Sequence, residues 1–448
     1  MAASTQPARG MRDFLPDDVR KREHVIGVVV EVYRQYGYEP LETPAVENIE
    51  TLTGKYGEEG NKLIFKILRR GEHEASGEAD LALRYDLTVP LARVVAEYRS
   101  KLPRIFKRYQ IQPVWRADRP ARGRFREFYQ CDVDVVGSRS PLVEAELCAA
   151  AGDVLTRLGF ADFTIRLNHR HVLGALLRGA GVPPELGGDA LVALDKLDKI
   201  GADGVARELE ARGIAASSSV KLLTWLGVGA LQPSARSTDW LDAVEREIDP
   251  DERERKGFDN LRDIMRLTMR TSAAPHLQLD PSLARGLSYY TGAIMEIAVA
   301  DLPGSLGGGG RYDNLIGMFL GEDVPACGFS LGLERILVVM TERGMFPASV
   351  AGAASDVLVT QWNAGGAGDA LALAAELREA GLRVEVYPDA DKLGKQFKYA
   401  SARGVPFVLV VGEDEAARGE VTIKDMRTGE QRSVPREQAA AAMSAGRP

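Results

Sequence analysis

Residues Arg124–Val136 read RFREFYQCDVDVV, the clearest strand pattern in the chain. An extended strand sends successive side chains to opposite faces. One face therefore takes Phe125, Glu127, Tyr129, Cys131, Val133 and Val135, mostly core material. The other takes Arg124, Arg126, Phe128, Gln130, Asp132 and Asp134. That second face runs from cations, through an aromatic ring, to an amide and carboxylates. The order suits a ligand with an anionic end, a flat ring and a cationic end. An amphipathic strand with its polar face in water accounts for the same pattern.

A second strand-like run, Ile105–Arg116, precedes it, and Arg116–Gly123 (RADRPARG) joins the two. Three arginines on a loop between strands are well placed to fold over phosphates, because a guanidinium fork binds phosphate with geometric specificity. A solvated loop is the competing explanation. Further upstream, Asp17 or Asp18 is placed to cap a helix over roughly 19–36 that Gly37 ends, and Lys62–Leu68 is strand-like. In Arg84–Pro90 (RYDLTVP), Asp86 and Thr88 stand two apart. On an extended segment they point the same way and make a receptor for an ammonium group, whereas an Asx or ST turn uses the same residues locally.

Downstream, residues 171–269 turn helical in texture, as in LVALDKLDKIG and GVARELEARG. Strand character returns at Ala293–Ala300, so the helical stretch reads as an insertion, about 171–270, inside one mixed domain. Leu283–Gly292 (LARGLSYYTG) sets Arg285 beside a glycine and ahead of Tyr289 and Tyr290. The run Gly307–Gly310 permits close backbone approach to a ligand, but it matches neither GxxxxGK[ST] nor GxGxxG. After it, GFSLGLERILVVM from Gly328 predicts a helix starting near Ser330, with Arg335 in its early turns. A cation there opposes the helix dipole, and a bound anion would reverse the objection. From Ser355 onward, strand and helix alternate at the spacing of an α/β sandwich with parallel pairing. Residues 344–354 form the linker, which sets the domains at 1–343 and 355–448.

The chain has 448 residues, too many for one core, with 45% hydrophobic and 27% charged residues. It has no apolar run long enough for a membrane span and no signal-peptide core at the N-terminus. Three cysteines lie far apart without a CxxC pair, which predicts neither disulfides nor zinc and fits a reducing cytoplasm. The net charge of −7 leaves room for local basic patches that hold nucleic acid. His169 and His171 form the only close histidine pair, and without a third ligand they read as structural rather than metal-binding. No nucleophile elbow is present, so any chemistry rests on positioning and electrostatics.

Taken together, these segments resemble the three signature motifs of the class II aminoacyl-tRNA synthetases, and within them the histidyl-tRNA synthetase family. Tyr38–Pro44 resembles motif 1, Arg116–Asp134 motif 2 and Gly328–Ile336 motif 3. RYDLTVP and LARGLSYYTG resemble two segments peculiar to the histidine enzymes. LGKQFKYASARGVPFVLVVGEDE resembles their anticodon-binding domain. The resemblance implies an α+β fold: an antiparallel sheet with helices and a helical insertion, followed by a C-terminal α/β domain. It implies that Asp86, Leu87, Thr88, Arg116, Gln130, Asp134, Arg285, Tyr289 and Tyr290 hold histidine. Arg116, Arg124, Phe128 and Arg335 would hold ATP, with Phe128 stacked on adenine, and Arg285 and Arg116 would be catalytic. ATP with Mg2+, L-histidine, tRNA(His) and a second copy of the chain are the implied partners. One departure is Ser288, where the family usually has an acidic residue. Two other functions fit parts of the pattern: a non-catalytic synthetase-like regulatory subunit of histidine biosynthesis, and a nucleic-acid-binding module without ligase activity.

Overall fold

The computed structural model describes residues 5–56, 60–69, 77–227, 238–284 and 289–444. The chain divides into two units, Met1–Phe346 and Pro347–Pro448. The first unit contains strands β1 (Glu39–Pro40), β2 (Val46–Asn48), β3 (Lys66–Leu68), β4 (Ala79–Leu83), β5 (Phe106–Trp115), β6 (Glu127–Val136), β7 (Phe163–His169), β8 (Leu277–Leu279), β9 (Ala293–Val299), β10 (Ser305–Arg311) and β11 (Ala326–Gly332). Eight of these form one sheet in the order β1-β5-β6-β11-β10-β9-β7-β8. Its interior pairs are antiparallel, and β1 and β8 join the edges in parallel. Strands β2, β4 and β3 form a separate small sheet.

Period-two alternation gives β6 its two environments. Cys131, Val133 and Val135 enter the main core beneath helix α1 (Pro16–Gln35) and a long helix over Leu142–Arg157. The opposite face collects polar side chains and glycines. The first helix starts at Pro16, earlier than its aspartates indicate. Leu15 is the cap residue, and Asp17 and Asp18 lie inside the first turn without capping it, because proline's fixed φ suits the first helical position. Gly37, at φ +76°, turns the chain out of the helix.

The helix expected near Ser330 begins only at Leu333. Ser330 pairs with Asp132 on one side and Gly308 on the other, so ladder pairing on both edges holds β11 extended through Gly332. Helix α2 (Leu333–Glu342) follows, with Arg335 in its first turn. The glycine run is likewise strand interior. A Cβ on Gly309 would lie 2.1 Å from the carbonyl oxygen of Gly328, so close strand packing demands glycine there.

Between β7 and β8 the described residues are mainly helical, from Arg170–Gly179 to Glu252–Thr268. His169 opens this region structurally: its Nδ1 accepts from the His171 backbone N–H at 3.1 Å. The last of these helices starts with a reciprocal capping box between Asp251 and Glu254.

The second unit has strands β12 (Val357–Val359), β13 (Val384–Val386), β14 (Phe407–Val410), β15 (Glu420–Asp425) and β16 (Gln431–Pro435) in the order β13-β12-β14-β15-β16. The first three run parallel and the last two antiparallel. Helix α3 (Ala367–Glu379) buries Leu373 and Leu377 with Val357, Val359, Leu409 and Ile423 in the core of this unit. The chain is thus an α+β protein with a C-terminal α/β domain.

The glycine geometry sets one expectation. Gly309→Ala should destabilise the first unit by about 3 kcal/mol or more. Gly308→Ala, whose Cβ would come no nearer than 3.3 Å to the Met295 carbonyl oxygen, should cost clearly less. Denaturant midpoints of the two variants compare them directly, and equal costs would disprove the packing explanation.

Candidate active site

The polar face of the large sheet is a floor built by register. Arg108, Gln110 and Gln112 on β5 stand opposite Asp134, Asp132 and Gln130 on β6. Across β11, these meet Gly328, Ser330 and Gly332. The glycines make room for the side chains above them. A Cβ on Gly328 would lie 1.8 Å from Asp134 Oδ1, and one on Gly310 would press against the Tyr290 ring at 3.1 Å.

Asp134 is buried. The Tyr312 hydroxyl donates to its Oδ1, and the wholly buried Arg108 guanidinium pairs with its Oδ2 at 2.9 Å and lies 3.9 Å from Asp132. Burial pushes both carboxyls up, and Arg108 pulls them back down. Tyr290 lies beside them, and burial with these two carboxylates holds its phenol protonated. Gln130 donates through Nε2 to Ser330 Oγ at 2.9 Å, while its amide oxygen is buried without a hydrogen-bond partner.

Asp86 belongs to the same cluster, and of the two conformations open to its segment, extended or turned, it takes the turn, at a helix entrance. Its Oδ1 accepts from the Val89 backbone N–H at 3.0 Å and so opens the helix Thr88–Glu97. This local turn wins because it satisfies an otherwise orphaned helix N–H. Asp86 also accepts from the hydroxyls of Tyr56, at 3.1 Å, and Tyr289, at 3.3 Å. Burial raises its pKa, and the Val89 N–H and then Arg116 oppose that rise. Leu87 is buried, and its carbonyl accepts from Arg108 at 3.3 Å. Thr88 follows as the first residue of that helix. Asp86, Thr88, Tyr289, Tyr290, Asp134 and Arg108 therefore form one acceptor-rich neighbourhood with a buried cation behind it.

Arg116 lies at the end of the loop. Its Nε donates to the Tyr85 carbonyl at 3.0 Å, and its guanidinium covers the rings of Tyr85 and Phe128 at 4.3 and 5.1 Å. Arg124 is exposed and paired with Asp118 at 2.9 Å. Arg335 hydrogen-bonds the Ser305 carbonyl and packs under Gly123, whose Cβ would meet it at 3.2 Å. Arg285 and Ser288 lie outside the described residues. Among the described residues, no group of three or more His, Cys, Asp or Glu is arranged to hold a metal ion.

Sequence reasoning missed Arg108, Tyr312, Tyr56 and Ser330. The row Arg108, Gln110, Gln112 at period two in a strand-like run was a usable signal for the first. Tyr312 and Tyr56 carried none, since their carboxylate partners are distant in sequence.

A family model described as histidyl-tRNA synthetase matches residues 10–336, and one described as an anticodon binding domain matches 356–445. The histidine–tRNA ligase of Gloeobacter violaceus is 42% identical over 452 residues, covering 95% of this chain and 95% of that protein. That of Christiangramia forsetii is 41% identical, covering 97% and 98%. Among solved structures, the histidyl-tRNA synthetase of Nostoc sp. PCC 7120 superposes with a TM-score of 0.83 at 30% identity, covering all of both chains. An ATP phosphoribosyltransferase regulatory subunit/histidyl-tRNA synthetase from Bacillus halodurans C superposes with a TM-score of 0.74, covering 92% of this chain and 99% of that one. Its 20% identity carries a likeness of fold alone.

Glu334, in the first turn of α2, supplies a pH test. Its Oε2 accepts from the Tyr129 N–H at 2.9 Å, and burial pushes its carboxyl up to about 7 from an ordinary 4.5. The folded chain keeps a proton that the unfolded chain releases between those values. Stability therefore falls as pH rises from about 4.5 to about 7, and this contribution is flat above. Relative to Glu334→Gln, the unaltered chain should lose on the order of 2–3 kcal/mol across that window. Parallel stability profiles for the two proteins would refute the shift.

Proposed function

The chain belongs to the histidyl-tRNA synthetase family, and from that membership we infer that it is a histidine–tRNA ligase: it activates histidine with ATP and transfers it to tRNA(His). The observation that best supports a working site is the acceptor-rich cluster of Asp86, Asp134 and the unpartnered Gln130 oxygen, next to a guanidinium laid over Phe128. A substrate with an ammonium, an imidazole N–H and a carboxylate complements it. We propose that Asp86, Thr88 and Gln130 take the α-ammonium, and that Asp134 and Tyr290 take the imidazole. Tyr289 and Leu87 shape the wall, and Arg116 takes the carboxylate and the α-phosphate. Phe128 stacks on adenine, while Arg335 and Arg124 meet the remaining phosphates. Arg124 must first leave Asp118.

Two steps follow. A carboxylate oxygen of histidine attacks the α-phosphorus, the bond to the bridging oxygen breaks, and pyrophosphate departs. A hydroxyl of the terminal ribose of tRNA then attacks the adenylate carbonyl, releasing AMP. Charge gathers on the α-phosphoryl oxygens in the first step, where preformed cations are usually the largest catalytic contribution. Arg116 and Arg285 are the proposed sources of that charge. Magnesium enters with ATP as part of the substrate.

The C-terminal domain is proposed to hold the anticodon arm. Lys392, Lys395 and Lys398 are exposed there, although Lys395 is engaged by Asp391 at 2.7 Å. A two-fold dimer through residues 37–46 is proposed as well. Arg84 braces that segment from behind by donating to the Thr43 carbonyl at 2.7 Å. Three buried free cysteines suit a reducing cytoplasm. The regulatory-subunit reading gains no support from the relatives named as ligases, which match along both domains.

Histidine-dependent exchange of pyrophosphate into ATP tests the activity, and its absence from the folded protein would refute this reading. Within that assay, Arg285→Ala should slow adenylate formation by on the order of 10²-fold or more and change ATP binding much less. Arg285→Lys should recover only part of the loss, since an ammonium lacks the planar fork. A near-normal rate in the alanine variant would remove Arg285 from the chemistry.

A further inference from the structure

An amide side chain can present either end to its surroundings, and which end Gln130 presents decides whether it can receive an ammonium. Three contacts make that choice. Gln130 Nε2 donates to Ser330 Oγ at 2.9 Å. Ser330 stands directly opposite Asp132 on the neighbouring strand, where burial pushes that carboxyl up and Arg108 and the Ser330 hydroxyl oppose the rise. Arg108, wholly buried, lies beside both Asp132 and Asp134. A hydroxyl has one proton, so once Asp132 takes it, Ser330 has only lone pairs left for its neighbour. Gln130 must then turn its NH2 toward Ser330 and leave its oxygen free. That oxygen is the buried, partnerless one. Strand register supports the relay, because Ser330 stands opposite Asp132, and Gly332 opposite Gln130, so the hydroxyl sits diagonally between the two side chains.

We propose that Ser330 is a positioning residue for amino-group recognition: through Asp132 it fixes the Gln130 amide with its oxygen toward the α-ammonium of histidine. The proposal rests on the histidine-pocket reading above. Without the hydroxyl the amide is free to flip and to aim its own N–H groups at a cation.

The test is pyrophosphate exchange with histidine as substrate and 3-(imidazol-4-yl)propionate, which lacks the amino group, as competitive inhibitor. Ser330→Ala should raise the KM for histidine about tenfold, with little change in kcat, and should leave inhibition by the analogue within about twofold of normal. Ser330→Thr keeps the hydroxyl and should behave like the unaltered chain. Equal weakening toward both ligands would mean that Ser330 merely supports the fold, and an unchanged KM for histidine would also overturn the proposal. Gln130→Ala separates the two levels. If it raises the histidine KM selectively while Ser330→Ala does not, only the role of Ser330 fails. If Gln130→Ala has no selective effect either, the assignment of Gln130 to the ammonium fails with it.

Discussion

Arg108 is the buried charge on which the site depends. No part of its side chain reaches solvent, yet it faces Asp134 at 2.9 Å and lies 3.9 Å from Asp132. Two carboxylates on adjacent same-face positions of one strand would otherwise protonate, since burial penalises the charged form. The cation lets the strand present negative acceptors inside a folded domain. Arg108 also donates to the Leu87 carbonyl, next to the turn through which Asp86 opens its helix. One guanidinium thus links the sheet floor to the wall carrying the third carboxylate. Buried ion pairs of this kind are weak contributors to stability, and this one opposes the burial that pushes both carboxyls up, Asp132 to about 7.

The glycines belong to the same arrangement. Gly328 and Gly310 clear space for Asp134 and Tyr290, whereas Gly309 lets β10 and β11 approach. A floor of missing side chains beneath a row of charged ones gives a pocket its depth without breaking the sheet. The arginine loop adds the complementary sign at the other end, with Arg116 over Phe128. Within RFREFYQCDVDVV the strand is Glu127–Val136; its polar face runs from Phe128 to Asp134, and the cationic end of the gradient comes from the loop before it rather than from the strand expected to start at Arg124.

That gradient was legible because period-two alternation is a local property. Cys131, Val133 and Val135 are buried in the core, and Gln130, Asp132 and Asp134 occupy the other face. The alternation of the C-terminal domain was legible for the same reason. Where distant strands decide, local reading failed. Ser330 looked helical from its own neighbours but is held extended by β6 and β10. Tyr312 reaches Asp134, and Tyr56 reaches Asp86, only through the fold. For Asp86 and Thr88 the local sequence allowed either an extended pair or a turn, and the turn is what forms. The assignments of roles to Arg116, Asp134 and their neighbours came from resemblance rather than from local pattern.

The claim that Arg108 favours the ionised form of these acceptors is tested most directly by the pH dependence of the histidine KM in pyrophosphate exchange. Arg108→Gln and Arg108→Lys would be compared with the unaltered chain, so that titration of histidine itself is common to all three. With glutamine, the acid limb should move to higher pH, because Asp132 and Asp134 lose the charge that opposes their protonation. With lysine it should stay near its original place. Coincident acid limbs in all three proteins would contradict the claim and leave Arg108 a packing residue.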